Sequence, residues 1–126
     1  MKKIFATAIN CMDGRVQLPV IHWLQKEALV DYVDMITEPG PNKILSENKD
    51  RAIIESIKTR VEISTKMRNS KLIAIVGHFD CAGNPTPKDI QLKEIRSAIE
   101  IVKDWNFDAK IIGLWVDENF KVSSIK

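Results

Sequence analysis

The sequence has 126 residues, of which 19 are Lys or Arg and 17 are Asp or Glu, so its net charge is +2. A hydrophobic fraction of 44% is ordinary for a soluble globular protein, and this length predicts a single domain over residues 1–126. The balanced charge, with no basic cluster, argues against nucleic acid or an acidic membrane surface as a partner.

The compartment is predicted from what the first residues lack. The apolar stretch after Lys2 and Lys3 is too short for the core of a signal peptide, and no run reaches the length of a membrane span. We therefore expect a cytoplasmic protein without a membrane segment. In that reducing compartment a structural disulfide is disfavoured, so Cys11 and Cys81 are expected to be free, catalytic or metal-bound.

Four apolar segments rich in β-branched residues predict the strands, and they span residues 3–9, 29–37, 71–77 and 109–116. After the last of them, residues 117–119 predict a turn that could lead residues 120–122 back as a short antiparallel edge strand.

The segments between the strands carry the pattern of helices. Pro19 is expected in the first turn of a short helix. Residues 38–42 have the strongest turn signal, and residues 45–67 then predict one long amphipathic helix. The last helix is expected to begin with Thr86 as its N-cap, Pro87 as its first residue and Asp89 as a capping-box acid.

This alternation predicts an α/β fold: a parallel sheet of four strands with helices on both faces and right-handed crossovers. In open sheets of this kind, ligands bind beyond the carboxyl ends of the strands. The loops that follow the first and third strands are therefore the expected position of a functional site.

Cysteine and histidine stand in these two loops. Cys11 follows the first strand, and His78 and Cys81 follow the third, three positions apart. If the two strands are adjacent and parallel, the three side chains converge, and two thiolates with one imidazole leave the fourth position of a zinc ion open, as in catalytic zinc sites. The alternative is a pair of buried, inert thiols beside a loop histidine.

Asp13 and Arg15 alternate with Cys11, so an extended loop could point all three side chains the same way. Arg15 could hold the Asp13 carboxylate in a fixed direction. Beside a metal, Asp13 could accept a hydrogen bond from a bound water or become the fourth ligand; the alternative is a structural ion pair that braces the loop. Asp80 could be an acceptor for a ligand or a turn residue.

These residues resemble a known family. Cys11-x-Asp13-x-Arg15 followed by His78-x-x-Cys81 is similar to the paired signature of the β-class carbonic anhydrases, whose scaffold is shared by carbonyl sulfide and carbon disulfide hydrolases. The resemblance implies that Cys11, His78 and Cys81 bind Zn²⁺. It also implies that Asp13 and Arg15 are catalytic and orient a zinc-bound hydroxide for the reversible hydration of carbon dioxide to bicarbonate. It further implies a homo-oligomer, a dimer or larger.

Other functions stay open from sequence alone. One is a hydrolase of a similar small molecule such as carbonyl sulfide. Another is a non-catalytic, zinc-stabilised binding or regulatory protein, which is suggested by residues 38–42, since they replace an Arg-Asn-Ala-Gly-like segment of the family. A nucleotide- or flavin-binding domain is disfavoured, because neither loop has a glycine-rich phosphate cradle.

Overall fold

Strands and helices alternate along the chain in the computed structural model, which describes residues 2–125. The two end residues of the predicted 1–126 domain, Met1 and Lys126, lie outside the described residues. In chain order the elements are β1 (Phe5–Cys11), α1 (Gln17–Glu27), β2 (Tyr32–Glu38), α2 (Pro41–Glu47), α3 (Arg51–Glu62), a π-helical turn (Ile63–Met67), β3 (Leu72–His78), α4 (Lys88–Lys103), β4 (Lys110–Val116) and β5 (Val122–Ile125). Within the described part of the chain, no helix has both the length and the apolar character needed to span a membrane.

The sheet has the strand order β2-β1-β3-β4-β5. The first four strands are parallel to one another, and β5 pairs with β4 in the antiparallel sense. The predicted fold class is therefore confirmed, including the short antiparallel edge strand. The strands β1 and β3 are neighbours, as the convergence of their carboxyl ends requires.

Two hydrophobic cores cover the two faces of the sheet because successive strand side chains point to opposite faces. On one face, Val20 and Leu24 of α1 pack against Ala6, Ala8 and other buried residues of the strands. On the other face, helices α2, α3 and α4 pack against the alternate strand residues, and this core contains Ile9, Leu45, Ile54, Ile57, Ile73, Ile75, Ile95 and Val102. The helices thus lie on both faces, as predicted.

The prediction of one helix over residues 45–67 is wrong, because the chain forms two helices there and a π-helical turn. Helix α2 ends where Asn48 takes a left-handed conformation with φ 54°. Asp50 then caps α3, since its side chain accepts a hydrogen bond from the Ile53 backbone N–H at 3.2 Å. Two turn-forming residues therefore outweigh the apolar periodicity that runs across them.

The predicted start of the last helix is also wrong. Pro87 is the N-cap and Lys88 the first helical residue of α4, with no side-chain capping bond. The Thr86 hydroxyl instead donates to the Asn84 side-chain oxygen at 3.2 Å. Asp89 lies in the first helical turn, where its negative charge faces the positive end of the helix dipole.

Strand boundaries differ from the prediction by one to three residues. The second strand begins at Tyr32 and not at residue 29, because Leu29 has a left-handed backbone with φ 56°. The first and third strands extend far enough to include Cys11 and His78 as their last residues. The edge strand begins at Val122 and not at residue 120.

Candidate metal centre

The three predicted ligands come together at the carboxyl edge of the sheet. One ligand atom from each of Cys11, His78 and Cys81 lies within 4.8 Å of the others, and all three residues are buried. Parallel pairing of β1 with β3, with Ile9 opposite Ile75, brings the ends of these strands side by side. The sequence-based expectation of convergence therefore holds for this group of residues.

The two sulfur atoms are close but not bonded. Cys11 Sγ and Cys81 Sγ are 3.8 Å apart, well beyond the roughly 2.05 Å of a disulfide, and both cysteines are free. Their contact lowers the pKa of Cys11, whereas the same contact, together with burial, raises the pKa of Cys81. The pair thus releases one proton readily and the second with difficulty. A bound cation would favour the loss of the second proton, because it is attracted to both thiolates.

The imidazole of His78 is oriented for a ligand. Its Nδ1 lies 2.8 Å from the carbonyl oxygen of Phe79, so the Nδ1–H tautomer donates there and leaves a lone pair on Nε2. Nε2 is buried, and among the described residues it has no hydrogen-bond partner. An unpartnered buried nitrogen beside two sulfurs fits Zn²⁺, for which Cys and His are the usual ligands.

The pKa of His78 responds to the same surroundings. Burial opposes the charged form, but the nearby Cys11 sulfur and the hydrogen bond to the Phe79 carbonyl together raise the pKa above its ordinary value. The negative environment that favours an imidazolium would equally favour a divalent cation held by the imidazole lone pair.

Asp13 and Arg15 form a close ion pair next to this group. The Nε atom of Arg15 donates to Asp13 Oδ1 at 3.0 Å, and Nη2 donates to Oδ2 at 2.7 Å. The Arg15 backbone N–H also donates to Oδ1, at 2.9 Å. These bonds from Arg15 lower the pKa of Asp13 to about 2, so the carboxylate is ionised at neutral pH. Asp13 is not a member of the three-residue ligand group found among residues 2–125.

Arg15 also connects the two loops. Its Nη2 donates to the backbone carbonyl of Asp80 at 3.0 Å, and its Nη1 lies 3.3 Å from the Asp80 carboxylate. Asp80 has φ 57°, a left-handed conformation that Asp and Asn tolerate better than most residues. Asp80 is therefore a turn residue and a partner of Arg15, and it lies outside the ligand group.

Two amide side chains that the sequence analysis did not identify hold the Cys11 loop. Asn10 is buried; its Oδ1 accepts from the Cys11 N–H at 2.8 Å, and its Nδ2 donates to the Val16 carbonyl at 3.1 Å. Gln17, the first residue of α1, donates from Nε2 to the Cys11 carbonyl at 2.5 Å. The peptide groups on both sides of the Cys11 side chain are thus fixed, a role for which the local sequence gives no strong signal.

The turn after β2 packs against the loop after β3. Gly40 has φ +62°, and a Cβ atom added to Gly83 would lie 2.6 Å from the backbone carbon of Pro39. The left-handed backbone of Gly40 needs the conformational freedom of glycine, and Gly83 is needed for the close approach of the two loops. Residues 38–42 therefore pack against the loop that contains Cys81.

A third missed residue is Gln91, which is buried on α4 and hydrogen-bonds both backbone groups of His78. A signal for it exists in the sequence. Gln91 occupies a position on the same helical stripe as the buried residues Ile95, Ala98 and Val102. A polar side chain on an apolar stripe indicates a buried hydrogen-bonding partner.

Comparisons with known proteins agree with this geometry. A protein-family model described as "Putative carbonic anhydrase" matches residues 1–126. A search of curated proteins finds no match. Among solved structures, the β-carbonic anhydrase CcaA has a TM-score of 0.62 and 13% sequence identity, covering 98% of this chain and 81% of its own.

Two fungal structures are also similar. The β-carbonic anhydrase CafA of Aspergillus fumigatus has a TM-score of 0.56 at 12% identity, covering 100% of this chain and 76% of its own. A structure from a study of two tetrameric β-carbonic anhydrases of Sordaria macrospora has a TM-score of 0.53 at 13% identity, covering 99% of this chain and 81% of its own. At such low identities the likeness shows a shared fold.

Proposed function

This chain belongs to the carbonic anhydrase family, and on that basis we propose that it catalyses the reversible hydration of carbon dioxide to bicarbonate with a zinc ion held by Cys11, His78 and Cys81. One observation carries the proposal. The three ligand atoms lie within 4.8 Å of one another, and the Asp13–Arg15 pair lies in the loop that follows Cys11. When bound, zinc supplies a Lewis acid that lowers the pKa of a coordinated water towards neutrality.

Asp13 is proposed to orient the attacking water. An ionised carboxylate can only accept hydrogen bonds, so an O–H group of the water would donate to it and a lone pair of the same oxygen would face the carbon of the substrate. Arg15 occupies both carboxylate oxygens and fixes their direction. The bonds from Arg15 to the Asp80 loop keep this pair in register with the His78 side of the site.

Three exposed apolar residues lie close in sequence to the proposed ligands. Met12 and Phe79, each next to a proposed ligand, are exposed apolar side chains, as is Leu18 at the start of α1. Carbon dioxide, the proposed substrate, has no charge and accepts hydrogen bonds poorly. A related linear molecule such as carbonyl sulfide is also small and uncharged, and it is the second substrate to test.

Assembly and location are further parts of the proposal. The related structure from Sordaria macrospora is described as tetrameric, which supports a homo-oligomer for this chain. Size-exclusion chromatography with light scattering would test it, and a monomer at working concentration would contradict it. The proposed location is the cytoplasm, where free thiols persist and remain available to a metal.

The proposal is tested by metal analysis and stopped-flow carbon dioxide hydration on the same samples. The wild type is expected to contain one zinc per chain and to accelerate hydration. Cys81→Ser should lose most of both, because one thiolate ligand is removed. Asp13→Asn should keep zinc and lose most of the activity, because an amide group can donate to the water and misdirect it.

Asp108→Asn is the matched control, since Asp108 is exposed and its ion pair with Lys71 is separate from the proposed site. It should match the wild type in zinc content and rate. If the protein contains stoichiometric zinc but neither hydrates carbon dioxide nor hydrolyses carbonyl sulfide, the proposed enzymatic function is contradicted. That result would favour a zinc-stabilised binding protein. Absence of zinc from every preparation, even after incubation with zinc, would contradict the metal centre itself.

A further inference from the structure

The peptide groups of His78 face a gap in the sheet. The Phe79 N–H donates to the Val116 carbonyl of β4 at 2.9 Å. In a parallel ladder the backbone groups of successive residues point to opposite sides, so the N–H and carbonyl of His78 point away from β4 and towards β1. The register between β1 and β3 covers only Thr7 to Ile9, opposite Ile73 to Ile75, so no β1 residue in this register pairs with His78.

The side-chain amide of Gln91 fills this gap. Its Oε1 accepts a hydrogen bond from the His78 N–H at 3.2 Å, and its Nε2 donates to the His78 carbonyl at 2.9 Å. An amide group carries the same donor and acceptor as a peptide unit, so one side chain replaces the contribution of a neighbouring strand. Gln91 is 1% exposed, so water does not compete for these bonds.

The surroundings of Gln91 are built around this contact. Gln91 Nε2 is also 3.3 Å from the carbonyl of Thr86, and Asn42 Nδ2 lies 3.4 Å from Gln91 Oε1. A Cβ atom added to Gly77 would lie 2.9 Å from Gln91 Oε1 and 2.8 Å from a methyl carbon of Ile95. A side chain at position 77 would have to displace the Gln91 amide or the end of the Ile95 side chain, and glycine avoids this displacement.

We propose that Gln91 is a positioning residue for the metal ligand His78: it fixes the His78 backbone at both polar groups and so directs the imidazole Nε2 towards Cys11 and Cys81. This inference rests on the proposed zinc centre. It assigns to α4, which contributes no ligand, control over the strength of metal binding. The Phe79 carbonyl then sets the rotation of the ring, and Gln91 sets the backbone from which the ring projects.

The test compares the wild type with Gln91→Met, which keeps the volume and removes both hydrogen bonds. Zinc affinity is measured by competition with a chromophoric chelator, and the cobalt-substituted proteins are compared by their visible absorption spectra. Gln91→Met is expected to bind zinc at least roughly 10-fold more weakly, because loss of a hydrogen-bonding partner of a metal ligand typically lowers metal affinity by that much. Its cobalt spectrum should shift, because the His78 nitrogen would be displaced from the two sulfur atoms.

Val102→Ala is the matched control, because Val102 is buried in the same helix and away from His78. It should lower the thermal midpoint and leave zinc affinity and the cobalt spectrum unchanged. Gly77→Ala is a second variant that keeps every hydrogen-bonding group and displaces the amide; it should weaken zinc binding in the same direction. If a variant does not fold, the test is made on the wild type. An NMR scalar coupling across the hydrogen bond between Gln91 Nε2 and the His78 carbonyl carbon is expected, and its absence overturns the inference.

The failures of the two proposals are distinguishable. Wild-type protein that binds no zinc contradicts the metal centre. Wild-type protein that binds zinc, together with a folded Gln91→Met variant of equal affinity and identical cobalt spectrum, leaves the zinc centre standing and overturns the role of Gln91.

Discussion

Arg15 holds both carboxylate oxygens of Asp13, with Nε at 3.0 Å from Oδ1 and Nη2 at 2.7 Å from Oδ2. A planar guanidinium supplies two parallel donors at this spacing, whereas the ammonium group of a lysine supplies one compact charge. The relationship therefore depends on the shape of Arg15 as well as on its charge, and this dependence leads to the first prediction.

Arg15→Lys is predicted to lower the hydration rate by about 10- to 100-fold while leaving zinc content unchanged, because the positive charge is kept and the direction of the Asp13 carboxylate is lost. Stopped-flow assays and metal analysis on one preparation measure both quantities. A variant with wild-type rates would contradict the orienting role of Arg15.

Asp80→Asn is predicted to have a much smaller effect, within a few-fold of the wild-type rate. The shorter contact from Arg15 goes to the backbone carbonyl of Asp80, at 3.0 Å, and the contact to the carboxylate is 3.3 Å and exposed. Exposed ion pairs contribute little, and Asn tolerates the left-handed backbone of Asp80. A loss as large as that of Arg15→Lys would show that the Asp80 charge itself is required.

Removal of the metal is predicted to destabilise the fold. If the free zinc concentration is about 100 times the dissociation constant, binding to the folded chain stabilises it by about 2.7 kcal/mol. A strong chelator should therefore lower the thermal midpoint of the wild type, and added zinc should restore it. Cys81→Ser serves as the control and should respond weakly to either addition. A wild-type midpoint that stays constant while zinc is lost would contradict coupling between the site and the fold.

Gly83→Ala is predicted to destabilise the protein by about 1–3 kcal/mol, because the added methyl group would lie 2.6 Å from the backbone of Pro39, which cannot move without disturbing the turn after β2. Gly14→Ala is the matched control: no atom lies within 4 Å of its added methyl group, and the change should stay within about 0.5 kcal/mol. Urea unfolding of both variants measures the difference. Equal stability of the two variants would contradict the packing of these loops.

The ion pair between Lys71 and Asp108 predicts a pH dependence away from the site. The hydrogen bond from Lys71 at 2.8 Å lowers the pKa of Asp108 below its ordinary value. The pair therefore stabilises the folded state above about pH 4, where the unfolded carboxyl group is ionised, and this contribution is lost as the pH falls through the lower pKa of the folded state.

Carboxyl NMR titration of Lys71→Met measures this effect, and the pKa of Asp108 should rise towards its ordinary value. The stability difference between Lys71→Met and the wild type should also shrink as the solution becomes acidic. An unchanged pKa would show that the ion pair does not persist in solution.

The arrangement of the candidate ligands could be predicted because it depends on few facts. Two apolar runs predicted buried parallel strands, and Cys11 and His78 stand at their ends. Because β1 and β3 are neighbouring parallel strands, Cys11 and His78 lie at the same edge of the sheet. The strand ends were misplaced by up to three residues, but these shifts do not change which residues lie at the carboxyl edge.

The division of residues 45–67 could not be predicted from periodicity. Leu45, Ile54 and Ile57 all face the same core, so the apolar pattern continues across the break. The break depends on the left-handed conformation of Asn48 and the capping bond of Asp50, which are local competitors of a continuous helix.

The role of Gln91 depends on tertiary structure. The local sequence does not indicate that β1 stops pairing with β3 after Ile9. Because the pairing ends there, the backbone N–H and carbonyl of His78 have no partner on β1. Asn10 and Gln17 are similar cases, since their partners are backbone groups of a loop whose course is set by the sheet. Amide side chains that satisfy backbone groups around the site are therefore the part of it that could not be predicted from the sequence.

Zinc K-edge X-ray absorption of the purified wild type tests the central claim most directly, because it reports the atoms bound to the metal. The account predicts two sulfur ligands at about 2.3 Å and nitrogen or oxygen ligands at about 2.0–2.1 Å, with the sulfur count falling to one in Cys81→Ser. A zinc shell without sulfur, or with the same sulfur count in wild type and Cys81→Ser, would contradict it.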